Sequence, residues 1–189
     1  MKEGLLIVIS GPSGVGKDTI IQRLLELDSN LKYSVSCTTR APRPGEVDGE
    51  NYTFVTRERF EELAGQGVFL EHATYNGHLY GTLRSRVAQA RHQGRDIVLK
   101  IEVKGAEQVR EREPNGLFIF VIAPSAAELE RRQKARNSET AKDMASRRKI
   151  AKSEMTYAEH YDHIVINDEL ERAAGEILDL IRASRLAQT

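Results

Sequence analysis

The stretch GPSGVGKDT, residues 11–19, constrains this chain more than any other. It follows the apolar run LLIVI (5–9) and precedes IIQRLL (20–25), whose spacing is helical. Strand, glycine-rich loop, lysine and helix in that order make a phosphate-binding loop. Gly11, Gly14 and Gly16, with Pro12, Ser13 and Val15 between them, let the backbone curl until successive N–H groups point inward. The following helix adds its positive N-terminal end, and Lys17 supplies a mobile point charge for the outer phosphates of a nucleotide. One position is unusual. A hydroxyl residue ordinarily follows the lysine and helps hold Mg²⁺, but here Asp18 takes that place, with Thr19 next. Two roles are open to that carboxylate: an oxygen donor to the metal through water, or a negative charge favourable at a helix start.

Composition narrows the classes. With 189 residues, 40% hydrophobic and 30% charged, the chain has the size and balance of one globular domain with a substantial core. Its 28 basic residues balance 28 acidic ones, so no global field draws it to nucleic acid or to an anionic membrane. Any anion site must be built locally. No apolar stretch approaches the roughly 20 residues that span a bilayer, and the run at 5–9 is too short for a signal peptide. The single cysteine, Cys37, allows no internal disulfide and suits a reducing cytoplasm. With no histidine motif beside it, Cys37 reads as a small structural residue, and the five histidines show no metal-ligand spacing.

Four apolar runs, 5–9, 97–103, 117–122 and 163–166, are short, β-branched and bounded by polar or turn residues, as buried strands of a parallel sheet are. Helical spacing occupies 19–27, 84–93, 106–112, 125–134, 142–157 and 170–184. The alternation predicts an α/β fold, a parallel sheet flanked by helices. Two segments interrupt it. The first, from about 33 to 80, is rich in Thr, Arg, Pro, Gly and aromatics. It predicts a small, largely antiparallel insertion with strands at 33–37, 52–55 and 69–75 and a helix near 57–65. The second, 131–148, is crowded with basic residues and has little apolar periodicity, which predicts a weakly anchored helical lid.

The insertion carries a second candidate anion site. Arg40 and Arg43 sit three apart in a stretch stiffened by Pro42 and Pro44, and forked guanidinium donors match phosphate. Ser36, Thr38 and Thr39 add hydroxyls, and Tyr52 follows shortly. Glu71 and Glu102 end apolar runs, where a carboxylate is costly to bury without a partner. Guanine offers a carboxylate two donors, N1–H and the exocyclic amine, whereas adenine presents an acceptor at N1, so acidic residues in a base pocket select guanine. Tyr80 and Thr82 add a phenol and a hydroxyl nearby. Arg132, Arg136 and Arg147 of the charged segment suit a transferring phosphoryl group, whose charge spreads over its oxygens.

Taken in order, GPSGVGK, SVSCTTRAPRPGEVDGENYTFV, FLEHATYNGHLYGT, LKIEVKGA and IVIND resemble the guanylate kinases over nearly the whole chain. The resemblance implies a P-loop core (1–32, 93–125 and 156–189), a GMP-binding insertion (33–92) and a lid (126–155). It implies transfer of the γ-phosphoryl group of MgATP to GMP, dGMP being left open, with Mg²⁺ as cofactor. It places ATP on residues 11–19 and the GMP phosphate on Ser36, Arg40, Arg43, Tyr52 and Tyr80. Glu71, Thr82 and Glu102 would read guanine, Arg132, Arg136 and Arg147 would act across the phosphoryl group, and Asn167 would lie near the adenine. Three residues depart from the pattern: Asp18; Lys100, where the family commonly has an acid; and Lys104, which replaces a common glutamine. The rival readings are a non-catalytic guanylate-kinase-like binding module and a kinase with another acceptor. The intact loop speaks against the first, and the carboxylates beside Arg40 and Arg43 against the second.

Overall fold

In a strand, successive side chains point to opposite faces, so a strand apolar at every position needs a cover on both. β1 (Leu6–Ser10), apolar as far as Ile9, is such a strand in the computed structural model, which describes residues 2–135 and 155–187. Leu5, Ile7 and Ile9 pack on one face with Ile20, Leu24 and Ile177, while Leu6 and Val8 meet Val87, Val109 and Phe118 on the other. The first cover is α1 (Lys17–Leu27) with α6 (Leu170–Ala187); the second is α3 (Arg84–His92) with α4 (Val103–Arg112). β8 (Leu117–Ile122) is sorted the same way, with Leu117, Ile119 and Val121 on the first face and Phe118 on the second. At about 1.5–3 kcal/mol for each large side chain buried, these two clusters are the main stabilising term of the fold.

β7 (Asp96–Lys100) and β8 flank β1, and β2 (Leu31–Tyr33) and β9 (His163–Ile166) close the edges. The order is β2-β7-β1-β8-β9, with every pairing parallel. The expected α/β sheet is thus present, and its carboxyl edge, where ligands of open α/β sheets bind, carries the phosphate loop. Ile9 of β1 pairs in register with Lys100 of β7, so that residue stands beside the loop. At the opposite end, buried Asp96 accepts from the Leu5 amide at 2.7 Å and from Arg185 Nε at 2.6 Å, tying α6 to the sheet.

A second sheet has the order β4-β3-β6-β5, formed by β3 (Cys37–Thr38), β4 (Thr53–Phe54), β5 (Phe69–Tyr75) and β6 (His78–Leu83). Its pairings are antiparallel except β3 with β4. α2 (Arg57–Gly65) covers it through Phe60, which stacks on Phe69 at 4.5 Å between ring centroids. Cys37 belongs to this small core.

Several expected elements are redrawn. The strand expected at 33–37 divides between the sheets: Tyr33 pairs with Val98 in the first, and Cys37 pairs with Gly81 and Thr53 in the second. Neither sheet offers all five residues a continuous partner. The strand expected at 97–103 ends at Lys100, because β1 stops at Ser10, whose hydroxyl donates to the Ile101 carbonyl at 2.8 Å, and Val103 opens α4. β6 was not expected, although Asn76-Gly77 signals a two-residue hairpin; the two have φ of 46° and 79°, and Tyr75 pairs with His78 across them. Of the helix expected at 142–157, residues 142–154 lie outside the described residues, and Met155–His160 form a short 3₁₀ helix.

Candidate active site

β1 delivers the chain to the loop and α1 takes it away at Lys17. Gly16 occupies the helix N-cap with φ 100°, a left-handed conformation that few other residues adopt, and a Cβ there would lie 2.5 Å from Asn167 Nδ2. The loop's carbonyls are held from behind. Asn167 Nδ2 donates to the Val15 carbonyl at 2.7 Å, Gln133 Nε2 to that of Ser13 at 2.7 Å, and Arg132 Nη1 to those of Asn167 and Val15 at 2.9 and 3.3 Å. Glu128 orients Arg132 by accepting from its Nε at 2.6 Å. Gln133 lies on α5 (Ala126–Ala135) and had no place in the sequence reading. Lys17 folds over the loop and donates to the carbonyls of Gly11 and Pro12.

A cleft of about 680 Å³ opens in front of the loop. Ser13, Gly14, Gly16, Lys17 and Asp18 line one end; Ser36, Arg40, Arg43, Tyr52 and Tyr80 line the other, with Glu71 and Glu102 also on the wall. The two candidate anion sites therefore face a single space. Thr82 is buried behind Glu71 and donates to its Oε1 at 2.6 Å. Gly11, Pro12, Val15, Thr19, Arg132 and Asn167 are not on the cleft wall, and Arg136 and Arg147 lie outside the described residues.

The Arg40–Arg43 segment owes its shape to Glu46, which the sequence reading quoted but gave no role. Its Oε1 accepts from Arg40 Nη2 at 2.7 Å and its Oε2 from the Arg43 amide at 2.7 Å. Arg40 also lies 5.4 Å from the Tyr52 ring centroid, a cation–π distance. Thr38 and Thr39 differ from expectation. Thr38 Oγ1 donates to the Leu79 carbonyl at 3.0 Å and Thr39 Oγ1 accepts from the Leu79 amide at 2.9 Å, so both hydroxyls zip β3 to β6 instead of facing the cleft.

Glu71 is the most perturbed carboxyl of the cleft. Burial pushes its pKa up to about 7 and nearby Glu102 adds to the rise, while the hydrogen bonds from Thr82 act against it. Gly105 on α4 makes room for it: a Cβ there would lie 2.3 Å from Glu71 Oε2. A carboxyl poised near neutrality beside a cavity is a group awaiting donors.

A family model for guanylate kinase matches residues 3–184. The chain belongs to the guanylate kinase family. The guanylate kinase of Lactococcus lactis subsp. lactis is 47% identical over 182 residues, which cover 96% of this chain and 89% of that protein. The guanylate kinase of Halalkalibacterium halodurans is 48% identical over 182 residues, with the same two coverages of 96% and 89%. Among solved structures, the guanylate kinase from Anaplasma phagocytophilum superposes with a TM-score of 0.81 at 34% identity, covering 96% of this chain and 86% of that one. The family's reaction is phosphoryl transfer from ATP to GMP, which places this chain among the nucleoside monophosphate kinases. No helix among the described residues is long and apolar enough to cross a membrane.

Proposed function

We propose that this chain converts MgATP and GMP to ADP and GDP by direct in-line transfer, in the cytoplasm. One observation carries the reading: the phosphate loop and the Arg40–Tyr80 wall face each other across a single cleft whose wall also holds Glu71 and Glu102. The acceptor is already an ionised phosphate oxygen, so no general base is required. Catalysis is positioning plus charge stabilisation. The loop amides of residues 11–19 and Lys17 take the ATP phosphates. Ser36, Arg40, Arg43, Tyr52 and Tyr80 take the GMP phosphate, with Glu46 holding both arginines in place. Glu71 and Glu102 read the base, and Thr82 serves that reading from behind by donating to the Glu71 carboxylate. Asn167 acts by shaping the loop beside the adenine. Arg132, Arg136 and Arg147 act across the moving phosphoryl group as the segment 126–155 closes over the insertion 33–92, and closure excludes water that would otherwise take it.

The described residues hold no group of three or more His, Cys, Asp or Glu side chains that would bind a metal by themselves. Mg²⁺ suits such a site, because it favours oxygen, keeps several waters and is carried largely by substrate phosphates. Asp18 is the carboxylate of the loop and would hold it; when bound, Mg²⁺ neutralises charge on the phosphates. The deciding test is a coupled assay of ADP release with MgATP against GMP, AMP, CMP, UMP and ribose phosphates. Turnover confined to GMP and dGMP is expected. Tight GMP binding with no turnover would overturn the enzyme reading in favour of a binding module.

A further inference from the structure

Asp18 and Lys100 lie 82 residues apart in the sequence, and in the structure they meet. Lys100 Nζ donates to Asp18 Oδ1 as an ion pair. The lysine is the last residue of β7, only 15% exposed at its side chain, while the Asp18 side chain is 61% exposed. The Nζ lies 5.2 Å from the Tyr52 ring centroid and 5.9 Å from that of Tyr33. All four residues line the cleft. Burial alone would favour the neutral amine, and the Asp18 carboxylate beside it favours the ammonium.

Substituting an acid for a hydroxyl at the start of α1 places a full negative charge beside a site that must receive a triphosphate. Left alone, that charge would repel the nucleotide. The ammonium of Lys100 offsets that charge and holds the carboxylate from the β7 side of the cleft.

We propose that Asp18 and Lys100 act as a pair: Asp18 supplies the oxygen donor that the loop's absent hydroxyl would otherwise give to the nucleotide-borne Mg²⁺, and Lys100 is the positioning residue that aims Asp18 and offsets its charge. This deepens the kinase reading and rests on it. The phosphate loop keeps the net charge it would have with a hydroxyl, while its donor becomes anionic.

The test is ATP binding by calorimetry, with EDTA and again across a Mg²⁺ titration, on wild type, Asp18→Asn, Lys100→Met and the double variant. Lys100→Met should weaken metal-free ATP binding about tenfold, the scale of one uncompensated charge at a partly solvated site. Adding Asp18→Asn to it should restore that binding to within about threefold of wild type, a rescue that lost packing would not give. Asp18→Asn alone, at an exposed side chain, should leave metal-free binding no weaker than wild type and raise the Mg²⁺ needed for half-maximal tightening several-fold. Unchanged metal-free binding in Lys100→Met, a double variant no better than that single one, or an unaltered Mg²⁺ requirement in Asp18→Asn would each overturn the proposal. Should Lys100→Met not fold, Asp18→Asn alone decides it through that requirement. Failure of the kinase reading looks different: wild type itself would then show no ATP binding or no turnover with GMP.

Discussion

At the scale of single residues, Glu71 makes the sharpest claim. It must be ionised to accept from guanine N1–H and the exocyclic amine, yet burial pushes its pKa up to about 7. GMP affinity should therefore fall as pH drops through about 7. Glu71→Gln should bind weakly with no such fall. The ratio of the two affinities, measured by calorimetry between about pH 5.5 and 8.5, separates the carboxyl from the phosphate's own ionisation near 6. The stability effect has a definite sign. A carboxyl raised from 4.5 to about 7 favours the folded state at low pH, and that contribution is lost as pH rises through 7. Urea denaturation should show Glu71→Gln gaining on wild type by about 2–3 kcal/mol between pH 5 and pH 8. A constant difference would place the titration elsewhere.

At the scale of elements, α4 and β5 meet where Gly105 faces Glu71. Alanine would favour the helix by up to about 1 kcal/mol, but its Cβ would lie 2.3 Å from a carboxylate oxygen pinned by Thr82. The contact wins, because the carboxylate could make way only by giving up its Thr82 hydrogen bond and shifting into the cleft where the base would sit. Gly105→Ala should weaken GMP binding at least about tenfold, consistent with loss of one charge-assisted contact, while leaving ATP affinity unchanged in the same calorimeter. Nothing local in the sequence announces this contact, since its partners are 34 positions apart. What was legible was local. Short β-branched runs alternating with helical spacing forecast the helix-covered parallel sheet, and the loop lysine and paired arginines marked both ends of the cleft. The division of 33–37 between two sheets was not legible, because Tyr33 finds its partner at Val98 and Cys37 at Gly81. The Asp18–Lys100 pair shows the same limit: each departure was visible alone, their meeting was not. Glu46 was within reach, three residues from Arg43 and six from Arg40 in a proline- and glycine-rich turn.

At the scale of the whole molecule, two anion sites share one cleft but are built on different sheets. Lys17→Ala should cut kcat at least about a hundredfold, as loss of a preorganised cation does, with the GMP dissociation constant unchanged within about twofold. Loss of both together, by kinetics and by calorimetry, would mean that the sites are not separate. The phosphate loop, meanwhile, does not own its shape. Its carbonyls are clasped by Arg132, Gln133 and Asn167, which lie 117, 120 and 152 positions further along the chain from the residues they hold. A protein engineer who lifted residues 11–17 into another strand–helix unit would transplant the amides without the clasps. The most recognisable piece of the sequence is therefore among the least portable.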